Sequence, residues 1–296
     1  MEKYILAIGE LLIDGISSTT VHTLTDAVAL NIHPGGSSGN FCRYIKRCGT
    51  PVELVAAVGN DGLGKILIEK VQQEGISTKY IHQLENHNTS FIVVARTSGT
   101  PEFIPYRDAD KYIDTIEATL INNAAMLHTT AFALSKEPAR TSILNAFQKA
   151  SVHQIPVSVD WNFAYKIWGI NNYANEVFVQ LQQYKPLLKF SLDDIERFTG
   201  TKLNTKDGLT YLDTVNASAI CLTCGSDGVY YKSDDTNGEW HHLPAKKIEV
   251  KNVTGAGDAF WAGFISARSK GHNMHYCVSR GIEVASMKLQ GKWVDL

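Results

Sequence analysis

An aspartate set directly behind two glycines is the position in this sequence most plainly equipped for chemistry. In residues 248–270, IEVKNVTGAGDAFWAGFISARSK, a β-branched run ends in Thr-Gly-Ala-Gly-Asp and then becomes an amphipathic helix. Gly255 and Gly257 let the chain turn tightly and, with Ala256 between them, bring backbone N–H groups to the start of that helix. Unpaired N–H groups and the positive end of the helix dipole point the same way there, so the turn is suited to an anion. Asp258 inside such a turn has two readings. It is a helix N-cap, a role aspartate often fills, or it is a base that takes the proton of a hydroxyl attacking a phosphoryl group seated on those N–H groups. Phosphoryl transfer asks for little beyond positioning, charge stabilisation and a base of that kind.

Other residues qualify less sharply. Gly35 and Gly36 permit close approach of backbone to a ligand, and Asn40 offers donors and an acceptor to hydroxyls, although a turn before a capped helix accounts for the same pattern. Asp14 after the first apolar run reads as a loop carboxylate. ICLTCGSDGVYY, with Thr223, Gly225 and Gly228, reads as a hairpin, and Ser191 ahead of Asp194 reads as a helix cap. Cys221 and Cys224 have CxxC spacing, but they lie in a strand-like run where residues three apart point to opposite faces, so a shared metal is not expected.

The elements that must position these residues follow from hydrophobic periodicity. Short apolar runs recur at 4–8, 52–58, 126–127, 157–159, 187–190 and 219–223, and amphipathic stretches of helical length separate most of them, such as 41–47, 63–74, 138–150 and 176–183. Strands alternating with helices predict an α/β protein with a mostly parallel sheet covered on both faces. Segments 15–34 and 88–107 break the rhythm and read as strands without helices, the second as a hairpin turning at Ser98-Gly99. They predict a small antiparallel sheet placed as a lid on one domain spanning 1–296.

Composition bounds the function. Hydrophobic residues at 44% and charged residues at 20% belong to an ordinary globular chain rather than a disordered one. The 28 basic and 30 acidic residues leave a formal charge of -2 with no basic block, which disfavours nucleic acid as a partner and points to small molecules. No apolar run is long enough to span a bilayer or form a signal-peptide core, so a cytoplasmic location without membrane contact is expected. Five cysteines, an odd number, argue for reduced thiols.

VTGAGDAFWAGF closely resembles the C-terminal signature of the ribokinase-like sugar kinases, also called the phosphofructokinase B family, usually written DTTGAGDAF. Residues 35–64, GGSSGNFCRYIKRCGTPVELVAAVGNDGLG, resemble the family's other signature: a Gly-Gly pair, an Asn, a helix ending in Gly, and a strand leading to VGxDxxG. Signatures at opposite ends of one chain make the resemblance cover nearly its whole length. It implies a three-layer sandwich with a β lid, ATP as phosphoryl donor, Mg²⁺ as cofactor, and Asp258 as catalytic base. It further implies an anion hole from the N–H groups of Gly255, Ala256 and Gly257, and sugar contacts from Asp14, Gly35, Gly36 and Asn40.

FIPYRDADKY resembles the FxFYRxxAD segment of fructokinases and 2-keto-3-deoxygluconate kinases, which implies Arg107 as a sugar contact. VDWNFAYKIW resembles the fructokinase segment DxNxRxxxW, implying a role for Asn162, with Ala164 where Arg is usual. The TxGxxG and NxxE segments of the family place Thr223, Gly225, Gly228 and Ser191 at the nucleotide and Asp194 at Mg²⁺-bound water. Asn252 stands where an aspartate helps hold a monovalent cation in some members, so that cation is an open expectation. Fructose is the first expected substrate, with 2-keto-3-deoxygluconate and ribose-type acceptors as rivals. A sugar- or nucleotide-binding regulator on a kinase scaffold is the reading from another class. Family lids sometimes pair between subunits, which implies a homodimer through the lid.

Overall fold

The protein was analysed as a computed structural model that describes residues 3–97, 102–169 and 173–292. Among these, the strands are β1 (Tyr4–Ile8), β2 (Leu12–Ser17), β3 (Leu30–Gly35), β4 (Val52–Gly59), β5 (Ile81–Leu84), β6 (Phe91–Ala95), β7 (Glu102–Tyr106), β8 (Ala124–Thr130), β9 (Val157–Asp160), β10 (Leu187–Ser191), β11 (Ala219–Thr223), β12 (Val229–Ser233) and β13 (His241–Leu243). The α-helices are α1 (Ser37–Arg47), α2 (Gly62–Gln73), α3 (Ala118–Asn122), α4 (Ala131–Leu134), α5 (Ala139–Val152), α6 (Tyr165–Trp168), α7 (Ala174–Leu181), α8 (Leu192–Thr199), α9 (Thr205–Leu212), α10 (Ala256–Ser269) and α11 (Met274–Leu289).

A 9-stranded sheet runs in the order β13-β12-β11-β10-β9-β8-β1-β4-β5. Its interior pairs are parallel, and only the β11-β12 and β12-β13 pairs are antiparallel. The parallel strands are apolar on both faces because helices cover both, which is why they appear in the sequence as continuous runs rather than alternations. On one face Trp161, Phe178 and Phe198 pack together, with Trp161 4.7 Å from Phe178 and 5.2 Å from Phe198 between ring centres. On the other, Trp261 stacks on Phe264 at 4.6 Å and anchors α10 beside α1 and α11. Each such side chain contributes about 1.5–3 kcal/mol by leaving water. Cys221 belongs to the second core and Cys224 packs against the first, so the CxxC pair does straddle the sheet, and all five cysteines are free.

The lid is a 4-stranded sheet in the order β3-β2-β6-β7. β2 and β3 pair antiparallel, as do β6 and β7, while β2 and β6 are parallel and join the two hairpins. The lid strands begin at Leu12, ahead of the expected segment, and residues 18–29 carry a short 3-10 turn at Leu24–Asp26 in place of strand. Alternation puts Leu12, Asp14 and Ile92 on one face and Leu30, Ile32, Ile104 and Tyr106 on the other. The expected hairpin turn at Ser98-Gly99 lies outside the described residues. Among the described residues no helix is long and apolar enough to cross a membrane.

Candidate active site

α10 begins at the glycine turn. Gly255 is its N-cap with a φ of 75°, a left-handed conformation that glycine adopts without strain. Ala256 donates its N–H to the Val253 carbonyl at 3.1 Å. The N–H groups of the turn that lack a backbone partner among the described residues are therefore those of Gly255, Gly257 and Asp258, while that of Ala256, one of the three expected donors, is already engaged. Asp258 lies in the first turn of the helix but does not cap it. Its Oδ1 accepts from the Ser37 hydroxyl at 2.5 Å and its Oδ2 from the Asn40 amide at 3.0 Å, contacts that span 221 and 218 residues of sequence. That arrangement removes the capping account. Burial raises the pKa of Asp258 above its ordinary value, and the Ser37 bond, the Lys189 charge and the Asn40 bond hold the rise in check.

α1 supplies both of those partners from one face, three residues apart. Its N-cap is Gly36, at a φ of 89°, where a Cβ would fall 2.6 Å from the Glu10 carbonyl oxygen. A Cβ on Gly35 would fall 2.1 Å from Asp14 Oδ2, so this glycine makes room for the Asp14 carboxylate. Asp14 and Asp258 repel, and burial together with that repulsion pushes Asp14 up to about 7. The ionised form, whose oxygens can only accept hydrogen bonds, is thus lost as pH falls through about 7. On the sugar contact that the resemblance implies for Asp14, the sugar KM should rise between pH 8 and pH 6 while the nucleotide KM stays level, and Asp14→Asn should flatten the sugar response. A sugar KM that is constant over that range would contradict the role of Asp14.

Asp14, Gly36, Asn40 and Asp258 line a recess of about 280 Å³ together with Glu10, Ser37, Asn162 and the apolar side chains of Leu12, Ile92, Phe103, Phe132, Ala164 and Ile167. Asn162 is fixed there by accepting the Phe132 N–H at 3.2 Å. Arg107 is placed differently from the expectation. Its guanidinium donates to Asp110, at 3.0 and 2.5 Å, and to Ser135, lies 4.0 Å over the Phe132 ring, and does not line the recess. It braces a wall of the recess from behind, because a buried guanidinium beside a buried carboxylate satisfies both.

On the far side of Asp258 a cavity of about 570 Å³ carries Thr223, Gly225, Ser191, Lys189 and the carboxylates of Asp160, Asp193, Asp194 and Asp227. Lys189 projects from β10 with its Nζ 2.9 and 3.0 Å from the two oxygens of Asp160. Burial disfavours its charge, but Asp160, Asp194 and Asp258 outweigh burial and raise its pKa. A Cβ on Gly257 would come within 2.8 Å of that ammonium, so the glycine lets Lys189 reach the floor of the turn. Asp194 and Ser191 form a capping box: Asp194 Oδ2 accepts the Ser191 N–H at 2.8 Å and its hydroxyl at 2.6 Å. Thr223 donates its hydroxyl to the Phe190 carbonyl at 3.2 Å. Gly228, at a φ of 98°, shapes the hairpin, since a Cβ there would strike the Leu243 carbonyl at 2.1 Å. Asn252 is exposed; its side-chain oxygen accepts from Thr254 N–H and its carbonyl accepts from Lys288.

A third cavity, about 580 Å³, adjoins the second through Thr223, Gly225, Ser226 and Gly257 and is walled by Val250, Val253, Phe260, Ile282 and Leu289. No motif pointed to this apolar slot, because α11 and the 248–253 segment contribute to it only once they are folded together. Sequence reading also passed over Ser37, Glu10 and Lys189. Lys189 alone left a signal: a lysine inside an apolar strand is rarely buried unless paired.

Residues 2–294 match the family described as pfkB family carbohydrate kinase. The chain is 32% identical over 300 residues to the ATP-dependent 6-phosphofructokinase of Thermoanaerobacterium thermosaccharolyticum, covering 100% of this chain and 91% of that one. Its fold is similar to that of Halothermothrix orenii fructokinase, with a TM-score of 0.84, 27% identity and coverage of 95% and 98% of the two chains. A fructokinase from Xylella fastidiosa with bound ATP is similar in fold alone, with a TM-score of 0.82 at 20% identity over 98% of this chain and 93% of that one.

Proposed function

The chain belongs to the pfkB family of carbohydrate kinases, and from that footing we propose that it transfers the γ-phosphoryl group of ATP to a neutral ketose, fructose first. The observation that carries the choice of acceptor is the charge of the recess. Glu10, Asp14 and Asp258 line it, and no Lys, Arg or His does so among the described residues. Carboxylates and amides accept from and donate to hydroxyls, whereas a phosphate or carboxylate on the acceptor would face like charge, which costs several kcal/mol. Ala164 lies in this wall and brings no cation to it. The fold likeness to a fructokinase supports the same reading.

In this reading the acceptor hydroxyl sits between Asp14, Asn40 and Asp258. Asp258 takes its proton as that oxygen bonds to the γ-phosphorus and the bond to the ADP bridging oxygen breaks. The N–H groups of Gly255 and Gly257 and the ammonium of Lys189 meet the charge on the transferring group. Adenine fits the apolar slot beyond Thr223 and Gly225. The lid face bearing Leu12, Asp14 and Ile92 covers the acceptor and excludes water that would otherwise hydrolyse ATP.

Among the described residues no three of the carboxylates Asp160, Asp193, Asp194 and Asp227 that line the second cavity gather into a metal cage. Mg²⁺ keeps several of its waters and binds through one or two carboxylates plus phosphate oxygens, so it would be held there chiefly by the nucleotide, with Asp194 toward its water shell. When bound, the ion neutralises charge between the phosphates. A monovalent metal ion does not fit at Asn252, because the Lys288 ammonium already stands 2.9 Å from its carbonyl oxygen.

The 6-phosphofructokinase relative makes fructose 6-phosphate the acceptor to test against fructose. With ADP release as readout, kcat/KM for fructose is expected to exceed that for fructose 6-phosphate and for 2-keto-3-deoxygluconate by at least ~100-fold, the equivalent of a like-charge penalty. Preference for fructose 6-phosphate would overturn the acceptor and leave the family assignment standing. The apolar outer face of the lid, Leu30, Ile32, Ile104 and Tyr106, supports a homodimer through this sheet; a monomeric mass by light scattering would dismiss it.

A further inference from the structure

Glu10 is the one recess carboxylate that is almost fully buried, at 1% exposure, and every bond it accepts goes to protein. Its Oε1 accepts the Ser37 N–H at 2.9 Å, and its Oε2 accepts the Ser38 hydroxyl at 3.1 Å and the Thr130 hydroxyl at 2.8 Å. Ser37 and Ser38 open α1, whose own N-cap is a glycine with no side chain to offer. A carboxylate arriving from the end of β1 therefore caps this helix from outside it, with charge and dipole in favourable alignment. The same first turn carries the Ser37 hydroxyl on Asp258 Oδ1 at 2.5 Å, and Asn40, on Asp258 Oδ2, follows one turn later.

We propose that Glu10 is a positioning residue for phosphoryl transfer: its buried carboxylate fixes the first turn of α1 and, through Ser37, holds Asp258 at the angle its proton transfer needs. Glu10 makes no contact with Asp258 itself, so its effect passes through Ser37. The inference rests on Asp258 being the base. Burial as such does not explain the arrangement, since a buried carboxylate is expensive unless each oxygen is bonded, and here the bonds converge on the one helix end that touches the reacting centre.

The test compares Glu10→Gln, Ser37→Ala, the double variant and Asp258→Asn at pH 8, where Glu10, pushed up to about 7 by burial, is ionised in the native enzyme. Glu10→Gln keeps the shape and one carbonyl acceptor but loses the second acceptor and the charge. It is expected to lower kcat about 10-fold with the ATP KM unchanged, as loss of an interaction felt mainly in the transition state would do. Because both act on one contact, the double variant should be no slower than the slower single variant. Losses that multiply in the double variant, or wild-type kcat in Glu10→Gln beside an inactive Asp258→Asn, would overturn this inference alone. An active Asp258→Asn would instead remove the base on which it rests. Should Glu10→Gln fail to fold, Ser38→Ala, which deletes one of the bonds Glu10 accepts, carries the comparison: a lower kcat that vanishes in the Ser37→Ala background is expected, and an unchanged kcat is the contrary result.

Discussion

Asp258→Asn is expected to reduce turnover at least ~100-fold, the lower end for loss of a general base, while sugar and nucleotide binding stay nearly intact. The substitution keeps an oxygen for the Ser37 hydroxyl and removes only the proton-accepting charge and one acceptor for Asn40. Burial raises the pKa of Asp258, so its charge is held against a desolvation penalty and the neutral amide relieves that penalty. The variant should accordingly be no less stable than the native protein, and the activity loss will not be a folding loss. Single-turnover kinetics with matched calorimetric binding of ADP checks both halves. Wild-type turnover in a folded variant would remove Asp258 from the mechanism.

The largest effect on stability is expected at Lys189. Lys189 and Asp160 are 4% and 2% exposed, and the ammonium is bonded to both oxygens of the carboxylate. Lys189→Met leaves Asp160 as a buried carboxylate without its cation, a change that costs about 3–5 kcal/mol. Adding Asp160→Asn should recover much of that loss, because removing both charges is far less costly than stranding one. Urea unfolding at an unchanged m-value reads the difference. Equal midpoints for Lys189→Met and the native protein would show that the pair does not hold the floor of the site. The same lysine stands under Gly257, so turnover should fall as well, yet the double variant should regain stability without regaining turnover. That separates the structural bond from the charge it presents to the second cavity.

Much of the architecture could be read from the chain. β1 and β11 coincide with the apolar runs at 4–8 and 219–223, because a strand buried on both faces has no alternation to blur its ends. Only the two-residue apolar centre of β8 stands out in the sequence; Ala124 and Ala125 precede it, and the residues after it, His128, Thr129 and Thr130, are polar and buried with hydrogen bonds such as Thr129 to the Ile8 carbonyl at 2.7 Å. The lid was visible as β-rich sequence, but the parallel pairing of β2 with β6 joins hairpins distant in sequence and depends on where the body sets them. Arg107 shows the limit most clearly. A motif position fixes a residue type, but whether its guanidinium meets a ligand or an internal carboxylate depends on Asp110, Ser135 and Phe132, which only folding assembles.

The sequence by itself determined the α/β alternation, a glycine turn at the start of a helix, and an aspartate within it that reads either as cap or as base. These are local properties, set by periodicity and by what glycine permits. The tertiary structure removed the first of these roles, since Gly255 caps the helix and the Asp258 carboxylate turns elsewhere. It brought Ser37 and Asn40 onto the two oxygens of Asp258 from the other end of the chain, set Glu10 behind them, and placed Lys189 under the turn. Hydrogen bonds and desolvation at that site depend on distances across the fold, and no spacing along the chain encodes them.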